Sequence, residues 1–310
     1  MEKIMVVKNL TFQEQIELLK SRGIIVKNVE KSSKKIENIS YYKLKEYAIP
    51  FICAYIDGSP KYKGLEFDEL LERYYQDKNL RIHLFHVIEK IEVSLKTRLA
   101  YDLGNMNAYG YLETDKWINK TERNAYRKHK KDFEYIFEKH SKFEKYELKT
   151  DVILGTISMK TPSVWVFVNS LNFSECVKIY KIMSNKRKKE IANYYGVTTK
   201  ELISWLEALK LVRNLCAHNG KIIDLKLKSK PVLIDSWKEI YNEKSSSDLA
   251  LIICILKNLV DVINSKYKWK YIRANILSLV GGSDDKARIL GFNDKDSVYK
   301  LLGKRTCTKK

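Results

Sequence analysis

The amino-acid sequence predicts an all-α fold, and three observations support that prediction. Glycine and proline are scarce, at 12 and 4 of 310 residues, or roughly 5% against a usual share of about 12%. Apolar residues recur at spacings of three and four along most of the chain, which is the period of a helix buried on one face. Two of these segments also open on a capping box, in which a threonine precedes a glutamate by three residues.

The first two predicted helices lie near the start of the sequence. A capping box of Thr11 and Glu14 opens the first helix, and a later glycine is placed to end it. The second helix lies within residues 38–56 and should end near Pro50. The residues between this proline and the DGSP turn at 57–60 fit either a helix or a short strand.

The middle of the chain holds the most regular helical pattern. Between residues 80 and 104, leucine, isoleucine and valine recur every three or four residues, while the opposite face is charged. This pattern predicts one long amphipathic helix that ends near Gly104. Residues 114–146 are also helical in pattern and strongly charged. Thr161 is expected to cap the next helix, with Pro162 at its first position.

Helices follow closely in the second half of the chain. A second capping box, Thr198 with Glu201, opens a longer helix that Asn219-Gly220 should close. The apolar face of that helix comprises Leu202, Trp205, Leu206, Leu209, Val212 and Cys216. The other helices are predicted at 162–171, 174–183, 185–195 and about 247–265.

The domain organisation is predicted without a long linker or an internal repeat. We expect an N-terminal helical segment at 1–60, a helical core at 61–280 and a basic C-terminal tail at 281–310 that is loosely attached.

Cysteine usage and hydropathy favour a cytoplasmic protein. Five scattered cysteines form no CxxC pair, which gives no support to a zinc ribbon or redox motif and fits a reducing compartment. No metal site or cofactor is predicted. The N-terminus lacks the apolar stretch of a signal peptide, and the most apolar run, 249–256, is far shorter than a membrane span.

The charge points to an anionic partner. With 58 Lys+Arg against 38 Asp+Glu, the net charge is 58 − 38 = +20. A positive field of this size suits nucleic acid, an anionic membrane surface or an acidic protein. The alternative is lysine-rich solubility, since 47 of the 58 basic residues are Lys. No helix shows the clean aromatic face of a membrane-surface helix.

Two basic clusters are the predicted RNA-binding surfaces. Contacts from such clusters to phosphates would make RNA binding strongly dependent on salt. Their members are Arg127, Lys128, Lys130 and Lys131 in the first, and Lys186, Arg187, Lys188 and Lys189 in the second.

The residues with a chemical signature stand at the end of the 199–218 segment. Arg213 and His218 are five residues apart, and an imidazole can transfer a proton near pH 7 while a guanidinium stabilises the charge on a phosphate. On an ideal helix these two side chains lie roughly 140° apart. Asn214 shares a face with His218 and could orient it. Arg213 reaches the same phosphate if the helix ends at about Ala217 or if two copies share the site.

Two other pairs match the same spacing. Arg81 and His86 lie in the long amphipathic helix, and Arg123 and His129 lie in a strongly basic stretch. Spacing alone leaves all three pairs open. The setting favours Arg213–His218, because it ends a well-capped and otherwise apolar helix.

Several motifs, in order along nearly the whole chain, resemble the abortive-infection (AbiD/AbiF-type) phage-resistance family of the HEPN superfamily. A run of such motifs is far more specific than one Arg–His pair. They are TFQEQ at 11–15, LLKSRG at 18–23, ISYYKL at 39–44, LR at 80–81, IEKIEV at 88–93, RL at 98–99, TPSVW at 161–165 and RNLCAHN at 213–219.

This resemblance implies an all-α HEPN-like bundle with additional N-terminal helices, acting as a metal-independent endoribonuclease toxin. Arg213 would bind the scissile phosphate, His218 would be the general acid/base and Asn214 would orient it. The resemblance also implies a homodimer or higher homo-oligomer and restraint by a small partner RNA. Where the family often has a second His followed by Gly-Arg, this chain has Asn219-Gly220-Lys221, and Lys221 keeps the charge without the guanidinium fork. The alternative is an inactive HEPN module that binds RNA or protein.

Overall fold

The computed structural model describes residues 9–141 and 161–303, and its contacts divide the chain into two compact units, Met1–Arg81 and Ile82–Lys310. Within the described ranges, helices form nearly all of the regular structure and the only sheet is one two-stranded hairpin. The all-α prediction is therefore confirmed.

The first unit contains three short helices, a hairpin and the start of a long helix. Asp57 and Gly58 in the hairpin turn both have positive φ, 48° and 71°, as a type I′ turn requires. The residues after Pro50 therefore reverse direction as a strand pair instead of continuing a helix. The elements are α1 (Phe12–Ser21), α2 (Val29–Ile36), α3 (Tyr41–Ala48), β1 (Ile52–Ile56) and β2 (Ser59–Tyr62).

Helix α4 (Phe67–Gly104) is 38 residues long and passes through the boundary between the two units. It begins at Phe67 instead of near residue 80. The buried residues Phe67, Leu70 and Leu71 continue the apolar face of the helix toward its N-terminus. Asp68 and Glu69 in the first turn favour a helix N-terminus.

The second unit is helical after α4. The capping box at Thr198 and Glu201 is present with both hydrogen bonds formed, and the all-round apolar α10 is buried for most of its length. Helix α5 packs against α6 and α7, and α9 packs against α7, α8 and α10. The elements are α5 (Arg123–Ser141), α6 (Val164–Ser170), α7 (Phe173–Ile182), α8 (Asn185–Tyr194), α9 (Thr199–Ala217), α10 (Leu249–Ile263), α11 (Lys270–Val280), α12 (Asp284–Ile289) and α13 (Lys295–Leu302).

Two predicted helix boundaries differ from the structure. Helix α6 begins after Ser163, so Thr161 and Pro162 precede its N-cap. The Pro162 carbonyl accepts a hydrogen bond from the hydroxyl of Tyr111 at 2.6 Å, which fixes this segment outside the helix. The charged helix predicted at 114–146 begins only at Arg123, and its last predicted residues, from 142 onward, lie outside the described residues.

The segment after the hairpin belongs to the first unit, which ends at Arg81. It pairs with the N-terminal part: the Ile25 N–H donates to the Leu65 carbonyl and the Phe67 N–H to that of Ile25, each at 2.9 Å. Near the end of the described residues, α13 packs against α10 and α11. The predicted domains at 1–60, 61–280 and 281–310 stay a prediction.

Candidate functional site at the end of helix α9

Helix α9 ends at Ala217, as Asn219-Gly220 predicted, and its last turn carries the candidate site. His218 is the C-cap residue, and its backbone N–H donates to the Asn214 carbonyl at 3.0 Å. Asn219 has a φ of 57°, which asparagine tolerates better than most residues. The Gly220 N–H then donates to the Leu215 carbonyl at 2.7 Å, completing a Schellman-type helix end.

Gly220 lies close to Leu215. A Cβ at this position would lie 2.5 Å from a terminal methyl carbon of Leu215, so that side chain would have to shift to accept a larger residue. The turn follows directly after His218, which is exposed at the end of the helix.

Arg213 lies against α4. Its Nε is 4.0 Å from a carboxylate oxygen of Glu92, and its guanidinium carbon is 5.6 Å from the ring centre of Phe85. The side chain is half-buried, and its Nε has no hydrogen-bond partner within the described ranges. The guanidinium is thus held in place by an ion pair and a ring contact.

Sequence reasoning missed the two residues that hold Arg213. Phe85 and Glu92 are seven residues apart and therefore share a face of α4. Their spacing indicates that the two side chains lie on the same face of α4. It does not indicate that this face contacts Arg213 of α9.

Asn214 and His218 are both exposed. Their side chains form no hydrogen bond with each other in the part of the chain that the structure describes, so the orienting role of Asn214 stays a prediction. Lys221 is mostly buried and forms an ion pair with Asp224 at 2.9 Å. Its charge is therefore partly neutralised, which leaves Arg213 as the better-placed cation.

In the Arg81–His86 pair, the arginine forms a buried ion pair within the first unit. Within the first unit, Arg81 is 4% exposed and donates from Nε to the fully buried carboxylate of Asp77 at 2.8 Å. The hydroxyl of Tyr47 donates to the same oxygen at 2.7 Å. Burial and the Asp77 carboxylate raise the pKa of Tyr47, so this phenol remains a donor. His86 is exposed, with its ring centre 6.3 Å from that of Tyr267.

The first basic cluster lies on an exposed face of α5. Arg123 is exposed, whereas one ring nitrogen of His129 is buried without a hydrogen-bond partner among the described residues. Burial lowers the pKa of His129; the Asp132 carboxylate opposes this, and Lys188 and Lys128 add to the lowering. We call the four exposed cations here the α5 basic surface; they are Arg127, Lys128, Lys130 and Lys131.

The second basic cluster is split by the structure. Lys186 and Lys189 are exposed, but Arg187 is half-buried and pairs with Asp102 at 2.6 Å. Lys188 is 8% exposed, and burial lowers its pKa. Only the first and last residues of this run therefore present their charges freely to solvent.

A buried polar cluster that the sequence did not suggest joins α5, α6 and α7. His140 Nε2 is 2.9 Å from a Glu175 oxygen, and His140 Nδ1 is 3.1 Å from the Ser170 hydroxyl. Burial raises the pKa of Glu175, but bonds from Lys139, the Asn172 backbone and His140 outweigh it and leave that pKa lowered. The Ser170 hydroxyl donates to the Phe167 carbonyl at 2.8 Å, which fits a helix-packing role.

No group of three or more His, Cys, Asp or Glu in residues 9–141 and 161–303 could hold a metal ion. Among the helices of those ranges, none combines the length and the apolar character that crossing a bilayer requires.

Comparison with known proteins gives one match. The model of a family described as Abi-like protein matches residues 34–224, more than half of the chain and including the end of α9. No match was found among curated proteins or among solved structures.

Proposed function

The chain belongs to the Abi-like protein family, which associates it with abortive infection and phage resistance. We propose that its activity in that role is that of a metal-independent endoribonuclease. The observation that carries the proposal is the end of α9. There a half-buried arginine and an exposed histidine follow one another within six residues.

In the proposed reaction the RNA supplies its own nucleophile. The ribose 2′-oxygen bonds to the adjacent phosphorus as the bond from phosphorus to the 5′-oxygen breaks. His218 accepts the 2′-hydroxyl proton or gives a proton to the departing 5′-oxygen. Arg213 stabilises the charge that develops on the phosphate. The products are a 2′,3′-cyclic phosphate and a 5′-hydroxyl, and the role assigned to Asn214 is to orient His218 through a contact formed with substrate bound.

One imidazole performs one of the two proton transfers, so the other transfer requires a second proton donor or acceptor. We assign that role to His218 of a second copy in a homodimer or higher homo-oligomer. The exposed position of His218 and the roughly 140° angular offset from Arg213 along a helix support this arrangement. The proposal includes RNA as substrate and a small RNA as the restraining partner.

The alternative is an inactive module that binds RNA or protein. Its support is that Arg213 packs on Phe85 and pairs with Glu92, as a structural residue would. In that case His218 only ends the helix, and its replacement changes no activity.

The test is cleavage of a defined single-stranded RNA in the presence of EDTA, with analysis of the product ends. We expect His218→Ala to lower the rate by roughly 10²- to 10⁴-fold. Its melting temperature should stay within about 2 °C of wild type, because the bond at the C-cap is made by the backbone. His86→Ala is the matched control, since that histidine is also exposed. Full activity in folded His218→Ala protein, or activity that EDTA abolishes, would contradict the proposal.

A further inference from the structure

Strand β1 forms an exposed edge of the first unit. None of its five residues is charged, and the last four, from Cys53 to Ile56, are exposed. Tyr55 is 67% exposed and Ile56 is 54% exposed. Natural proteins usually protect such an edge with charged side chains, with proline or with a covering element, because a free edge can pair with another strand. An exposed and uncharged edge of this kind indicates a surface for strand pairing.

The register of the hairpin shows which backbone groups of β1 point away from β2. Ile56 lies opposite Ser59 across the two-residue turn, and Tyr55 lies opposite Pro60. The pair that flanks a two-residue turn is hydrogen-bonded and the next pair is not. Proline has no N–H, which agrees with this alternation. Tyr55 therefore directs its backbone N–H and carbonyl toward the outer edge of β1.

These outward groups of Tyr55 are available to another strand. Within residues 9–141 and 161–303, neither its N–H nor its carbonyl takes part in a backbone hydrogen bond outside the hairpin. The irregularity of the hairpin lies between Ile52 and Ala54, so residues 54–56 keep a regular strand geometry. Strand β1 thus offers a short regular segment with Tyr55 at its centre.

The distribution of charge favours a second copy of the chain as the partner. Residues 1–81 contain 15 Lys+Arg and 12 Asp+Glu, a net charge of 15 − 12 = +3, whereas residues 82–310 carry the other +17 of the total +20. Two copies can therefore approach each other through β1 with far less electrostatic repulsion than through the second unit. A nucleic acid would find little positive charge at this edge.

We propose that β1 pairs with β1 of a second copy about a two-fold axis, antiparallel and with Tyr55 opposite Tyr55. The N–H of each Tyr55 donates to the carbonyl of the other, so symmetry provides two hydrogen bonds. The two Tyr55 rings lie side by side on one face of the resulting four-stranded sheet, where aromatic pairs stabilise strand pairing. On the other face, Ala54 lies opposite Ile56 of the second copy. This contact is independent of RNA cleavage and involves the first unit, whereas the pairing proposed at α9 involves the second.

The experiment measures self-association of the full chain by sedimentation velocity over a range of about 1 to 200 µM, in which weak protein contacts form. Tyr55→Pro removes the outward N–H in both copies and spares the β1–β2 ladder, since proline is tolerated in an edge strand where its nitrogen faces solvent. We expect this variant to weaken the association by roughly 5- to 150-fold, the effect of losing two hydrogen bonds. Tyr55→Phe is the matched control, because it keeps the backbone N–H and the ring. If the α9 pairing also forms, the β1 contact appears as a second association step, and Tyr55→Pro removes only that step.

A disulfide gives a second readout that does not require the proline variant. The two α-carbons of a hydrogen-bonded antiparallel pair lie about 5.5 Å apart, which is within the range that a disulfide spans. In a Cys53→Ser background, Tyr55→Cys should therefore form an intermolecular disulfide between the two copies of residue 55 under mild oxidation, identified by mass spectrometry of the linked peptides. Tyr42→Cys in the same background is the control, because Tyr42 is 71% exposed and lies in the same unit.

Three results would overturn the inference. The first is equal self-association of wild type and folded Tyr55→Pro protein. The second is a disulfide that is no more frequent at position 55 than at position 42. The third is a wild-type mass that stays constant over the whole concentration range, together with no disulfide at position 55; any strand that pairs with this edge would then belong to a different protein.

Discussion

Replacing Arg81 by alanine should destabilise the first unit far more than replacing any other arginine of the three Arg–His pairs. Asp77 is fully buried and Arg81 is 4% exposed, so the variant removes the Arg81 cation from a buried carboxylate. Loss of one partner of a buried ion pair costs about 3–5 kcal/mol. A unit of some 80 residues has a total stability of only about 4–12 kcal/mol. The variant should therefore lose a quarter or more of that stability.

Controls can separate this effect from a general loss of charge. Arg123→Ala removes an exposed arginine and should change stability by less than about 0.5 kcal/mol. The apolar triple replacement Tyr47→Phe, Asp77→Leu and Arg81→Met removes the whole cluster. It should be more stable than Arg81→Ala alone, because no buried charge is left unpaired.

Urea unfolding followed by two probes is the assay. All five Trp residues lie in the second unit, so tryptophan fluorescence reports that unit, while far-UV circular dichroism reports the helices of both. We expect the dichroism transition of Arg81→Ala to move to lower urea. An unchanged transition by both probes would refute the ion-pair reasoning. Loss of RNA cleavage in a fully stable Arg81→Ala protein would instead place Arg81 in the site.

Three further results are expected. Asn219→Ala should lower the unfolding free energy by about 1 kcal/mol because of its positive φ, whereas Asn219→Gly should not; equal melting temperatures for both would contradict this. Burial raises the pKa of Asp248, but bonds from Tyr241, the Leu227 backbone and Lys226 leave it lowered overall. Its contribution to stability is therefore present above the unfolded pKa of about 4 and lost as pH falls through the lower folded value. The acid-induced drop of the urea midpoint should accordingly be smaller in Asp248→Asn, and an identical drop would count against it. If all four cations of the α5 basic surface contact phosphates, affinity for single-stranded RNA should fall about 50-fold between 50 and 200 mM salt, since 0.7 × 4 × log 4 is about 1.7; an affinity independent of salt would exclude such contacts.

Local signals predicted what local interactions determine. The capping boxes at Thr11 and Thr198 located two helix starts, and Asn219-Gly220 located the end of α9, because each signal is satisfied by bonds within a few residues. The pattern does not decide whether the residues after Pro50 form a helix or a strand. The turn residues at 57–60 indicate a change of direction but not the secondary structure on either side of it.

The burial and pairing of individual basic residues depend on tertiary contacts, which the sequence pattern does not show. The KRKK run at 186–189 gives no sign that Lys188 is buried and Arg187 paired, because both depend on residues that are distant in sequence. Likewise, Arg213 was identified as a candidate but its neighbours on α4 were not. The spacing of Arg81 and His86 matches the motif as well as that of Arg213 and His218. The two pairs differ in that Arg81 is bound to the buried carboxylate of Asp77.

The continuity of α4 links the stabilities of the two units. Its 38 residues form one uninterrupted helix, and helix propagation is cooperative from residue to residue. Unfolding of the N-terminal unit exposes a free helix end at the boundary, and fraying from that end proceeds toward Phe85 and Glu92. Destabilising the first 81 residues therefore weakens the helical order of Phe85 and Glu92, which contact Arg213, without any change at Arg213 itself.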